Sequence, residues 1–226
     1  SFDSLLNANS QSFLSIYIFP YLSFLYLFFL FIPVYKYIKN YRYVKFIKTH
    51  GIGKPAVDWK LFVQKNALYA GIKRPVKVFI SSLINSPVTI GFIKPIILLP
   101  AAVVCHLSIE QTEAILLHEL AHIKRNDYFI NLIIQFIKTV LFYNPFVKMF
   151  VKTIEREREK SCDELVLQFR YEPLSYATAL LRLEQLRIAG PVFAIPFSGN
   201  SADLLHRIEK ITGKKNKQAF PGKKLS

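Results

Sequence analysis

The chain has 226 residues, a formal net charge of +15, and 52% hydrophobic residues that include 20 Phe and 12 Tyr. That length suits one domain of ordinary size plus a membrane segment. Two cysteines, Cys105 and Cys162, leave no disulfide framework and fit a reducing compartment, while strong basicity with this much apolar residue points to a membrane protein whose loops face the cytoplasm.

Residues 1–12 carry only Asp3 as a charge and read as an extracytoplasmic segment. Residues 13–35 have no charge and are dominated by Phe, Leu, Ile and Tyr, a composition and length that predict a transmembrane helix. Lys36, Lys39, Arg42, Lys45 and Lys48 follow it, which places the N-terminal side outside and the rest in the cytoplasm. Residues 36–60 read as a basic juxtamembrane helix or linker lying on anionic lipid. The adjacent span accounts for the charge, so no nucleic-acid partner is expected.

Trp59–Ala70 is expected as a helix and Val76–Leu83 as a strand, ended by Asn85-Ser86-Pro87. Val88–Leu99 reads as a second strand region in which Gly91 and Pro95 mark bulge or edge positions. An edge strand can hold an extended peptide by adding it to the sheet, which makes Val88, Thr89, Ile90 and Gly91 candidate substrate-binding residues; an ordinary hairpin is the alternative.

Ser108 to Gln111 has the form of a capping box and starts a helix. Within that helix His118-Glu119-Leu120-Ala121-His122 reads H-E-x-x-H, the zinc-peptidase pattern. Positions i and i+4 share a helix face, so both imidazoles reach one metal ion. Glu119, one step after the first histidine, stands where a general base can take a proton from a water acidified by zinc. A third ligand must come from elsewhere.

Tyr128–Val151 is strongly apolar, but a second membrane crossing there would put the downstream carboxylates on the opposite side from the histidines. It is expected as a helix buried in the domain, or as a partly inserted hairpin broken at Asn144-Pro145. Ile154–Leu167 is a helix on which Glu155, Glu159 and Asp163 form one stripe of like charge, a cost that a nearby cation relieves; a solvated face paired with Arg156, Arg158 and Lys160 is the alternative. Cys162 lies about 100° off that stripe and reads as a small packed residue. Ser175–Ile188 and Ser201–Thr212 are two further expected helices, and residues 213–226 a basic tail leading to another transmembrane helix. Beginning with Ser1 and ending in that tail, the chain reads as a piece of a larger protein.

Three stretches together resemble a known family. They are His118 to Asp127, Phe142-Tyr143-Asn144-Pro145, and Glu159-Lys160-Ser161-Cys162-Asp163-Glu164. With Gly71 to Val76 and Gly91 to Pro100 upstream, they look like the BlaR/MecR-type antirepressor integral-membrane zinc metallopeptidases of bacteria. The resemblance implies an α+β fold, a mostly helical zincin-like (gluzincin) domain over residues 61–212 with a small β-hairpin or sheet. It implies Zn2+ held by His118, His122 and Glu159, with Glu155 as the second choice of third ligand, and Asp163 orienting a zinc-binding imidazole. It further implies a cytoplasm-facing endopeptidase in the bacterial inner membrane that relays a signal by cleaving a transcriptional repressor or itself, among membrane lipids and with a homodimer possible. A non-enzymatic transducer with a structural zinc, for which His106 is the nearest spare histidine, and a membrane peptidase of the prenyl-protein or stress type are the alternatives.

Overall fold

Helix α1 runs over Phe19–Thr49 in the computed structural model, which describes residues 19–49, 52–169, 171–189 and 201–213. The expected extracytoplasmic segment 1–12 and the first part of the expected transmembrane helix, residues 13–18, lie outside the described residues, as do residues 214–226 of the basic tail. Among the described residues no helix is long and apolar enough to cross a membrane. The described part of the expected transmembrane helix over 13–35 begins at Phe19. That part is the apolar half of a longer helix, in which the uncharged run from Phe19 ends at Tyr35 and the same helix continues through Lys36, Lys39 and Arg42.

A four-stranded mixed sheet follows in the order β1-β2-β4-β3, from β1 (Ile52–Gly53), β2 (Lys77–Ser81), β3 (Val88–Ile90) and β4 (Ile96–Pro100). Helix α2 (Val57–Tyr69) connects β1 to β2 and stops at Gly71, whose φ of 78° lets Gly71 N–H reach Leu68 O and Ile72 N–H reach Ala67 O, closing the last turn. β2 and β4 pair in parallel; β3 pairs antiparallel to β4 and forms one edge. The expected single strand region Val88–Leu99 is thus two strands, turned at Gly91 with φ 95°. Pro95 does not mark an edge. It immediately precedes the central strand β4, where its carbonyl accepts from Lys77 N–H at 3.1 Å and its missing N–H costs no ladder bond.

Short helix α3 (Ala101–His106) leads to α4 (Ile109–Lys124). The capping box forms: Ser108 Oγ accepts from Gln111 N–H and Ser108 N–H donates to Gln111 Oε1, each at 3.2 Å. Then come α5 (Asp127–Val140), α6 (Pro145–Gln168), α7 (Pro173–Ala189) and α8 (Ser201–Ile211). Successive residues of β4 alternate faces, so Ile97 and Leu99 pack with Ile115, Leu116 and Leu120 of α4, Val166 of α6 and Tyr176 of α7, while Leu98 packs on the other side with Ile84 and Ile90. Burial on both faces is what makes Ile-Ile-Leu-Leu a central strand.

The apolar run Tyr128–Val151 is broken where Asn144-Pro145 predicts, because Asn144 caps a new helix with Pro145 in its first turn. α6 therefore begins nine residues before the expected Ile154. Of the two alternatives, the wholly buried helix is corrected: α5 turns Phe129 and Phe136 outward, at 48% and 68% exposure.

Candidate metal centre

The site is built on α4, which is buried on almost every side. His118 and His122, one turn apart, bring their Nε2 atoms to 3.2 Å. Glu159 reaches them from α6, with Oε2 at 3.4 Å from His118 Nε2 and Oε1 at 3.7 Å from His122 Nε2. Tetrahedral zinc with bonds of about 2.1 Å separates its ligand atoms by about 3.4 Å, so the size of this triangle and its two-nitrogen, one-carboxylate chemistry fit that ion. Among the described residues no fourth histidine, cysteine or carboxylate joins the group. Glu155 lines the same cleft but is not in the group, and His106 is exposed at the end of α3.

Behind the imidazoles, each Nδ1 is engaged. His122 Nδ1 lies 2.7 Å from Asp127 Oδ2. Asp127 opens α5 and can reach back because Asn126 takes a left-handed conformation, φ 60°, which bends the chain sharply after α4. His118 Nδ1 lies 2.9 Å from the Tyr176 hydroxyl, which itself donates to Asp163 Oδ1 at 2.6 Å. With Tyr176 donating onward, its oxygen accepts from His118 Nδ1–H. In its neutral form each ring then turns an unprotonated Nε2 to the triangle.

Arg207 of α8 ties the carboxylates together. It grips Asp163 with Nε and Nη2, at 2.8 and 2.7 Å, and places Nη1 3.1 Å from Glu159 Oε2. Two more ion pairs hold α8 on α6, Arg156 with Asp203 and Lys210 with Glu164, both at 2.7 Å. Burial opposes charge on Glu159, yet the bond to and charge of His118, with His122 and Arg207, bring its carboxyl down to about 2. Burial likewise disfavours a charged His118, but Asp163 and Glu159 outweigh it and raise that imidazole to about 9 in the metal-free protein. Asp163 is held well below the carboxylate range, against burial, by His118 and Arg207.

Cys162 lies fully buried, with Sγ 3.4 Å from His122 Nδ1; burial, then the negative charges of Asp127 and Glu159, push its thiol far above the usual range. It sits behind the ring of His122, on the side away from Glu159. The group His122, Asp127 and Cys162 is joined by the 2.7 Å hydrogen bond, closer than two ligands of one zinc ion stand.

A cleft of about 860 Å³ opens over the triangle. Val88 and Thr89 of β3 line it together with Glu119, and Thr89 Oγ1 donates to Glu119 Oε2 at 2.7 Å. The other two candidate substrate-binding residues do not line it: Ile90 is buried under the sheet and Gly91 lies in the following turn. Sequence reasoning assigned nothing to Asp127, Tyr176 or Arg207. Asp127 carried a signal only in combination with the Asn126 turn, and Tyr176 and Arg207, 58 and 44 residues from their partners His118 and Asp163, carried none.

The family of BlaR1 peptidase M56 matches residues 3–211. The chain belongs to that family. M56 members are metallopeptidases, which accords with the His-His-Glu triangle. The M56 chain is 28% identical over 152 residues to the methicillin resistance mecR1 protein of Staphylococcus aureus, covering 66% of this chain and 26% of that one. It is 35% identical over 135 residues to the regulatory protein BlaR1 of Bacillus licheniformis, covering 58% and 22% respectively. The M56 chain thus spans about a quarter of the length of these curated relatives.

Proposed function

We propose that this M56 chain is the zincin-like catalytic part of a zinc endopeptidase that works at the cytoplasmic face of a bacterial inner membrane, cleaving a protein substrate in signal transduction. The observation that carries this reading is the open three-residue group His118, His122 and Glu159 with Glu119 beside it in a cleft bordered by a sheet edge. A structural zinc takes four protein ligands, whereas a catalytic one keeps a position open. When bound, the ion supplies a Lewis acid that polarises a peptide carbonyl and acidifies water.

The chain's own residues account for the rest. Asp127 and Tyr176 fix the two imidazoles with Nε2 toward the ion. Glu159 gives the third ligand, kept ionised by its neighbours. Glu119 takes a proton from water and returns it to the departing amine. Because Thr89 occupies its Oε2, Oε1 is the oxygen left for that proton. The outer edge of β3 offers unpaired backbone groups beside Glu119, so an extended substrate segment adds there as a further strand.

The relatives' names, a methicillin resistance protein and regulatory proteins, support a substrate that controls gene expression: a transcriptional repressor, the chain itself, or both. Exposed aromatics along α1, Tyr21, Phe24, Phe28 and Phe31 among them, support contact with lipid. Purified without chelator, the protein is expected to hold one zinc and to cleave its substrate. Glu119→Ala is expected to keep the zinc and lose cleavage, and cleavage surviving in that variant overturns the reading.

A further inference from the structure

A second pocket, of about 300 Å³, is lined in part by Asn126 of the α4–α5 turn and shares no residue with the cleft over the metal centre. Three cations line it, Lys73, Arg74 and Lys124, and no carboxylate does. Arg74 is fixed as its floor: it donates to Phe92 O, Ile123 O and Asn126 Oδ1, and its guanidinium stacks 4.8 Å over the Phe92 ring. All three acceptors are neutral, so Arg74 keeps an uncompensated charge. Lys73 and Lys124 stand exposed at the rim and have no carboxylate partner among the described residues.

The pocket adjoins an apolar ridge. Phe92 packs on Phe129 at 5.4 Å, and from Phe129 the outward stripe of α5 continues through Ile133 to Phe136. Ile93, beside Phe92, is 75% exposed. A concave cluster of positive charge at the end of an exposed aromatic and aliphatic stripe matches a bilayer surface, where acyl chains meet the apolar face and anionic headgroups meet the cations.

We propose that this pocket binds the phosphate of an anionic phospholipid headgroup, with the outward face of α5 resting in the acyl boundary beside it. The site rests on the membrane association proposed above but not on the proteolytic reading. It orients the domain, since Asp127, the first residue of α5, holds His122 of the metal centre.

The test is flotation of the full chain, exchanged out of detergent, with vesicles of phosphatidylglycerol mixed into phosphatidylcholine, and with phosphatidylcholine alone. Capture by the mixed vesicles is expected to exceed capture by the neutral ones. Removing one lysine near an anionic surface weakens binding about fivefold, so Lys73→Gln with Lys124→Gln is expected to lose roughly 25-fold. Lys65→Gln with Arg182→Gln, exposed on α2 and α7 and not lining the pocket, removes the same charge and is expected to lose far less. An equal loss in both pairs reduces the attraction to bulk charge and overturns the site. So does capture by both vesicle types that the Lys73 and Lys124 pair does not change, which leaves membrane association standing. Release of the protein from mixed vesicles by millimolar inorganic phosphate at constant ionic strength would mark a site for free phosphate instead. Capture by neither vesicle overturns membrane association together with the site.

Discussion

Thr89, on the edge strand where a substrate would dock, donates its hydroxyl to Oε2 of Glu119 at 2.7 Å. The strand proposed to receive the peptide and the carboxylate proposed to handle its proton are thereby joined directly. A hydrogen bond to a charged acceptor contributes about 1.5–3 kcal/mol, enough to hold a carboxylate in one rotamer. Thr89→Val keeps the shape and the strand propensity and removes only the donor. We expect kcat to fall about tenfold or more with KM and zinc content unchanged, and Thr89→Ser to recover most of the loss. A Thr89→Val enzyme with native kcat would show that Glu119 needs no such support.

Zinc uptake is expected to release a proton. His118 must bind the ion through an unprotonated Nε2, yet without metal its imidazole is raised to about 9 by Asp163 and Glu159, against the effect of burial. At neutral pH it is therefore charged and has to give up its proton, whereas Glu159, at about 2, is already ionised. Apparent zinc affinity should rise with pH and level off near 9. Calorimetric titration in buffers of different ionisation enthalpy measures the release, and identical heats in all of them would contradict it.

The same groups set the stability of the metal-free protein. Glu159 is lowered from 4.5 to about 2, so the stability it adds is complete above 4.5 and is lost as pH falls toward 2. His118 is raised from 6.5 to about 9, so its contribution is complete below 6.5 and is lost as pH rises toward 9. For these two groups the stable window lies between 4.5 and 6.5. Denaturant midpoints of chelated protein should be highest there and fall on both sides. A midpoint still rising from pH 6.5 to 9 would mean that His118 is not charged in the folded metal-free state.

What the sequence made legible follows from how far each partner lies along the chain. The pairing of His118 with His122 is a property of helix spacing alone, and the helix announces itself through Ser108 and Gln111. The carboxylate stripe Glu155, Glu159 and Asp163 narrowed the third position without choosing within it; the choice depends on how α6 crosses α4, which no local pattern encodes. The same holds for the edge strand. Val88 to Leu99 reads as β structure, but which segment forms the border of the sheet depends on the parallel pairing of β2 with β4, with β3 between them in the chain. Pro95, taken as an edge signal, fits equally well at the start of the central strand. The outward face of α5 stayed undecided between burial and partial insertion because an apolar residue carries the same letter whether it meets protein or lipid.

Asp127 should govern zinc affinity although it does not touch the ion. Its carboxylate holds His122 Nδ1 at 2.7 Å and pairs with Arg125, whose Nε stands 3.6 Å from Oδ1. Removing such a partner typically costs 10- to 100-fold in affinity, through loss of ring orientation and ligand basicity, so about that loss is expected for Asp127→Ala in competition with a chelating dye. Native affinity in the variant would leave the His122 ring held by packing alone.

Arg207 tests the other half of the network. Its guanidinium is the cation facing Asp163 and Glu159 from α8, and without it the buried Asp163 and the half-buried Glu159 face His118 with no fixed charge to balance them. Breaking a buried pair from one side costs about 3–5 kcal/mol, because the remaining charge stays desolvated. Arg207→Met is therefore expected to destabilise the metal-free protein by about 3 kcal/mol. Saturating zinc should restore part of that, since a divalent ion beside Glu159 replaces the lost positive charge. Combining Arg207→Met with Asp163→Asn should cost less than the sum of the two single changes, measured by chemical denaturation of all four proteins. Strict additivity would mean that Arg207 and Asp163 do not act on each other in solution.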